Sequence, residues 1–155
     1  MSKKKVRRRQ SSLTSRWLLI ALAVFIVGGL AVVWAQDFLP VRDQPGKRIY
    51  ISANQAMKWL ENKEVAFLQL SFKTCPYCIA AGPTIEKLVA EYNLHLAYVD
   101  IKERGNEWIA NELALPGTPA IYPFKNGELV GPPIVGNVGE EAFREFFLRY
   151  LESDA

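Results

Sequence analysis

The residues best suited to chemistry are the two cysteines, which stand three apart in Cys75-Pro76-Tyr77-Cys78. A zinc site needs about four ligands, and the chain adds to these thiols only one histidine, His95, so the set falls short of a metal centre. A purely structural disulfide here closes a very small loop and constrains the unfolded chain little. The leading reading is a redox-active dithiol. Placed at the start of a helix, residues i and i+3 share one face at a separation a disulfide bridges, so the pair opens and closes with little backbone movement. Cys75 then lies at the positive end of the helix dipole, where first-turn N–H groups favour its thiolate, while Cys78 faces the core. Pro76 fits the first turn, where a missing N–H costs nothing. Attack by Cys75 on a disulfide sulfur forms a mixed disulfide and Cys78 resolves it; the reverse sequence donates a disulfide. Electrons travel in the cysteine pair, and no cofactor is called for.

The elements that must position this pair are legible in the hydrophobic pattern. Ile49-Tyr50-Ile51 reads as a short strand, and Ser52 with Gln55 is a capping box opening a helix to about Asn62. Val65 to Phe72 is a dense apolar run suited to a strand buried on both faces, leading directly into the cysteine helix, which extends to about Tyr92. A second buried strand spans Leu94 to Val99, and a helix runs from about Asn106 to Leu113. Strands Ala120 to Phe124 and Leu129 to Val135 flank Lys125-Asn126-Gly127-Glu128, whose Asn-Gly is a strong hairpin signal. Asn137 with Glu140 is expected to cap a last helix, where Phe143, Phe146, Phe147 and Tyr150 form a core-facing stripe. The order β-α-β-α-β-α-β-β-α predicts an α/β domain with a mixed sheet flanked by helices.

Charge divides the chain. Seven of its 19 Lys and Arg residues lie in the acid-free segment 1–16, so the remaining 12 face all 16 acids and the rest carries a net −4. An acidic folded part argues against nucleic-acid binding. Residues 17–35, from Trp17 to Ala35, are uncharged and almost wholly apolar. At about 1.5 Å per residue they span roughly 28 Å, near the ~30 Å hydrocarbon core of a bilayer, with Trp17 and Trp34 at the interfaces. We therefore expect a basic cytoplasmic tail (1–16), one N-terminal transmembrane helix (17–35), a tether (36–48) and a catalytic domain (49–155). The positive-inside rule places that domain outside the cytoplasm, with the chain a single-pass protein of the cell membrane. The alternative is a secreted protein cleaved near Ala35, after Val33-Trp34, but the apolar run is longer than a usual signal h-region.

Residues 49–155 resemble the thioredoxin superfamily. The likeness rests on a buried strand leading into C-x-x-C, Pro83 five residues past Cys78, Thr118-Pro119 where the family places a cis-proline, and the hairpin Phe124-Lys125-Asn126-Gly127-Glu128. The resemblance implies that Cys75 and Cys78 are catalytic, with Pro76 and Tyr77 the active-site dipeptide. It implies that Thr118 pairs its backbone with an extended substrate and that Pro119 shapes the groove. Gly136 matches a family glycine near the site and reads either as room for substrate or as a turn residue. Two departures stand out. Cytosolic thioredoxins have Trp before the first cysteine and a buried Asp six residues before it, where this chain has Thr74 and Gln69. Without that carboxylate, proton transfer at Cys78 must use water or another group. With its N-terminal anchor the chain looks more like the extracytoplasmic thioredoxin-like proteins of bacteria, including the bacteriocin-accessory group, than like cytosolic thioredoxins.

The function expected is a thiol–disulfide oxidoreductase that forms, reduces or isomerises disulfides in exported or cell-surface proteins. Its other partners would be a membrane redox protein that recycles the pair and the lipid bilayer around 17–35. The alternative is a membrane-tethered accessory or chaperone that holds exported peptides, with the redox pair incidental. His95 is expected to be structural, Trp59 and Trp108 to pack, and Glu103, Arg104 and Glu107 to form a solvated face.

Overall fold

A computed structural model describes residues 17–29 and 41–152, and the chain divides into two units, residues 1–40 and 41–155. In the first unit residues 17–29 form a helix (α1) whose apolar side chains, among them Trp17, Leu18 and Phe25, are exposed. The expected basic tail, the remainder of the expected span (30–35) and the first part of the tether (36–40) lie outside the described residues. Among the described residues no helix is long and apolar enough to cross a membrane.

The second unit runs β1 (Lys47–Tyr50), α2 (Ala53–Leu60), β2 (Val65–Ser71), α3 (Pro76–Glu91), β3 (His95–Asp100), α4 (Trp108–Glu112), β4 (Ala120–Lys125), β5 (Glu128–Leu129), β6 (Ile134–Val135) and α5 (Glu140–Leu151). The sheet order is β1-β3-β2-β4-β5, with β6 also paired to β4. β1, β3 and β2 are parallel and β4 runs antiparallel to β2, giving the mixed α/β sheet that the alternating pattern predicts.

Side chains alternate across the sheet and sort into two cores. Ala66, Leu68 and Leu70 of β2 join Ala97, Val99, Ala120, Tyr122 and Phe124 beneath α2 and α4. Phe67 turns the other way, toward Ile85 and Leu88 of α3 and Phe143, Phe146 and Phe147 of α5. Its ring meets Phe147 edge-on at 4.9 Å between centroids, an arrangement aromatic pairs favour. The expected aromatic stripe is therefore the core contact of α5.

Several expectations need correction at element ends. Residues 41–48, assigned to the tether, belong in good part to the folded unit. Val41 packs on the core, Asp43 pairs with Lys63 and His95, and Gly46 donates to the Leu94 carbonyl at 3.0 Å. The strand predicted over Leu129 to Val135 is two short pieces, because Pro132 and Pro133 lack the N–H a continuous ladder needs. The last helix is capped by Gly139 (φ +88°) with no side-chain bond, so Asn137 does not act as its cap. Helix α4 is shorter than predicted, and Trp108 on it remains 39% exposed while Trp59 is buried. Ser52 and Gln55 form the predicted reciprocal cap of α2.

Candidate active site

The polypeptide leaves β2 at Ser71, turns through Phe72-Lys73-Thr74 and enters α3 with Cys75 as its N-cap and Pro76 in its first turn. The turn is tied down by Asp100, whose carboxylate accepts from the Lys73 N–H at 3.2 Å and the Lys102 N–H at 2.9 Å. Asp100 is in turn held by Asn106, which donates Nδ2–H to its carbonyl at 2.9 Å while accepting the Ala53 N–H at 2.8 Å. A buried asparagine thus fastens the start of α2 and the end of β3 to the segment that presents the cysteines.

Cys75 and Cys78 are joined in a disulfide with Cα atoms 5.2 Å apart. Both are buried, and the Cys78 backbone N–H donates to the Cys75 sulfur at 3.2 Å. That sulfur occupies the position a capping oxygen takes at an ordinary helix start, so it meets unsatisfied first-turn donors at the positive end of the dipole. Tyr77 and Ile79 flank the pair and are strongly exposed, at 67% and 64%.

The segment before β4 closes over the sulfurs. The Thr118–Pro119 peptide is cis, and the Cys75 sulfur lies 3.7 Å from the Thr118 carbonyl oxygen and 3.4 Å from its Oγ1. The Gly136 N–H donates to the Pro119 carbonyl at 2.8 Å, pinning the end of β6 to the same segment. Gly136 has φ +89° with nothing within 4 Å of an added Cβ, so its backbone conformation, not crowding, calls for glycine. Pro83 lies inside α3.

At the carboxyl ends of the parallel strands lies a polar cluster of which the sequence singled out only Gln69; two of its members, Arg48 and Tyr98, line a cavity with Cys78. Gln69, fully buried on the α3 side of β2, donates to the Ser71 hydroxyl at 3.0 Å. Its side-chain oxygen accepts from Arg48 Nη1 at 3.4 Å. The Arg48 guanidinium lies 5.3 Å from the Tyr50 ring centroid and 5.2 Å from that of Tyr98, and it pairs with Glu86 of α3. Tyr98 has its hydroxyl pushed up to about 12 by burial and by the Asp100 charge. Neighbouring registers Tyr50↔Tyr98 and Gln69↔Tyr98 would have signalled the grouping, but pairing registers are not readable from one sequence.

The other residues singled out in the sequence lie apart. His95 pairs with Asp43 and meets Trp59 edge-on, consistent with a structural role. Partial burial of Asp43 raises its proton affinity, but hydrogen bonding to Lys63 and the interaction with His95 outweigh this and hold it below the usual carboxylate range. Glu103, Arg104 and Glu107 are exposed, and Glu103 pairs with Lys73.

A dithiol–disulfide pair at a helix N-terminus, roofed by a cis-proline loop on a mixed α/β sheet, defines the thiol–disulfide oxidoreductase class. No family model matches the chain. It is 30% identical over 93 residues to thioredoxin of Buchnera aphidicola subsp. Baizongia pistaciae (strain Bp), covering 60% of this chain and 84% of that protein. It is 31% identical over 86 residues to NADPH-dependent thioredoxin reductase 3 of Arabidopsis thaliana, covering 56% of this chain but 16% of that longer protein. A mutant thioredoxin from Halobacterium salinarum NRC-1 superposes with a TM-score of 0.62 at 22% identity, over 69% of this chain and 93% of that one. This chain belongs to the thioredoxin family, and it is a thiol–disulfide oxidoreductase.

Proposed function

We propose that Cys75 is the attacking thiol and Cys78 the resolving one, in exchange with protein substrates outside the cytoplasmic membrane. The observation that carries the assignment is the Cys75 sulfur itself, which accepts the Cys78 N–H and lies against Thr118. A sulfur so placed is stabilised as the thiolate and leaves readily when the intramolecular disulfide is opened. An extended substrate would add its backbone beside Thr118, with Pro119 presenting no competing N–H and Tyr77 supplying an exposed ring at the rim. The test is trapping in cells with Cys78→Ala: mixed disulfides to Cys75 should accumulate and should vanish when Cys75→Ser is added. Persistence of exchange activity in Cys75→Ser would overturn the assignment.

In this reading residues 17–35 anchor the protein, the basic tail stays in the cytoplasm, and a membrane redox protein recycles the pair. The exposed apolar face of α1 and the seven flanking cations support it. Such an arrangement suits the extracytoplasmic thioredoxin-like proteins, the bacteriocin-accessory group among them. Membrane fractionation with protease added from outside should find the chain in the membrane and its C-terminal domain digestible; a soluble product starting near Gln36 would favour cleavage. The lack of a buried acid at Gln69 favours forming or isomerising disulfides over reducing them, and a midpoint near the roughly −270 mV of thioredoxin would count against that direction. If a double Cys75→Ser/Cys78→Ser variant restores a deletion strain, peptide holding by the groove is the function instead.

A further inference from the structure

We propose that Arg48 is the positioning residue that readies Cys78 for the resolving step, by holding a cation against the cavity into which its thiol deprotonates. The inference rests on Cys78 being the resolving thiol. In that step the Cys78 sulfur attacks the Cys75 sulfur, the bond from Cys75 to the substrate sulfur breaks, and the substrate leaves as a thiolate with the electron pair. The Cys78 proton must first go elsewhere, and Gln69, an amide at the position where the family's buried Asp would stand, cannot take it.

A cavity of about 280 Å³ reaches Cys78 and is lined also by Arg48, Tyr50, Lys73, Glu86 and Tyr98. That volume admits several waters, so the proton leaves to solvent. What the wall contributes is charge. An added Cβ on Gly82, one helical turn beyond Cys78, would meet both terminal nitrogens of Arg48 at 4.0 Å, so the guanidinium lies against the turn of α3 that follows Cys78 and lines the same cavity. Its side chain is only 10% exposed. Two tyrosine rings and Gln69 fix its place, and its buried Nε has no partner among the described residues.

The other charged groups facing the cavity are weaker influences. Glu86 opposes Arg48, but it lies eight residues beyond Cys78 and its side chain is 54% exposed, so water screens it more. Lys73 is 70% exposed and paired with Glu103. Asp100, whose charge reaches the cavity-lining Tyr98, is taken up by the Lys73 and Lys102 N–H groups; on the proposal the buried guanidinium then dominates at Cys78 and favours its thiolate.

The test follows both steps of exchange in the full chain with an aromatic nitrobenzoate disulfide whose released thiolate is coloured. Attack by Cys75 releases the first equivalent and resolution by Cys78 the second, each measured across pH. In Arg48→Gln the midpoint for the second phase should rise by about 0.5–1 pH unit, slowing it roughly 3- to 10-fold below that midpoint. The first phase should change less, and Arg48→Lys should restore most of the second. Glu86→Gln should act in the opposite sense, lowering the midpoint and speeding resolution, which a merely structural role would not produce. An unchanged second phase in Arg48→Gln, or a Glu86→Gln shift in the same direction as Arg48→Gln, overturns the proposal. If Arg48→Gln fails to fold, the sign of the Glu86→Gln effect decides it. Cys78→Ala separates the two levels of argument. If Cys78→Ala loses the fast first phase while Cys75→Ala keeps it, Cys78 is the attacking thiol and not the resolving one; if Cys78→Ala keeps that phase and stops at one equivalent while Arg48→Gln resolves normally, only the role of Arg48 is lost.

Discussion

Replacing Asn106 by Ala should be among the most damaging polar substitutions in this domain, although the residue touches neither cysteine. Its side chain accepts the Ala53 N–H at 2.8 Å and donates to the Asp100 carbonyl at 2.9 Å, with Asn106 itself 3% exposed. Alanine leaves a buried donor and a buried acceptor without partners, each worth about 1–3 kcal/mol. Partial relaxation sets the expected loss at about 2–4 kcal/mol, or a drop in Tm of roughly 10–20 °C for a domain of this size. Urea unfolding followed by Trp59 fluorescence measures it, with an unchanged m-value showing that the loss belongs to the native state. Asn106→Asp adds a check with a defined sign. It keeps the acceptor for Ala53 but loses the donor and sets a carboxylate beside Asp100, so its folded proton affinity is raised. The variant should be least stable at neutral pH and recover as pH falls, once the acid form donates again. A loss below about 1 kcal/mol in Asn106→Ala would refute the idea that this side chain ties α2 to the turn before Cys75.

Two further outcomes follow from local geometry. Tyr98 retains its proton to about 12 in the folded protein against 10.0 ordinarily, so the unfolded chain ionises first and stability falls as pH rises through that window. After allowance for solvent screening the loss is about 1–2 kcal/mol, and in alkaline urea titrations it should be absent from Tyr98→Phe. Gly127→Ala should cost about 1–3 kcal/mol in the same assay, because φ is +83° there and the new Cβ would lie 3.0 Å from the Glu61 Cα.

The sequence revealed whatever depends on short-range pattern. The Ser52–Gln55 cap, the buried runs of β2 and β3, the Asn126-Gly127 hairpin and the aromatic stripe of α5 are each written within a few residues, and each forms as expected. What escaped depends on contacts made at a distance. Arg48 falls in a stretch whose Pro45, Gly46 and charges read as a tether, and only pairing of β1 with β3 places it beneath α3. Asn106 looked like a helix start, whereas its value lies in bonds to residues 53 and six positions away. Pro132 and Pro133 break the strand that their apolar neighbours alone would predict. Thr118 reached the site through family likeness alone, since no local signal in positions 115–119 indicates proximity to a sulfur 43 residues earlier.

The interrupted β5 and β6 matter beyond the hairpin they belong to. At one side of the sheet each offers two residues, separated by a proline pair, and at the other β1 offers four, headed by the exposed Lys47. A neighbouring chain seeking backbone hydrogen bonds therefore meets a broken margin on one flank and a four-residue strand bearing a cation on the other. Under the membrane-anchored reading such molecules are confined to two dimensions and collide often, always in similar orientations. Short margins of this kind would keep those collisions from turning into stacked sheets, so that under the proposed function a visiting strand pairs beside Thr118 instead.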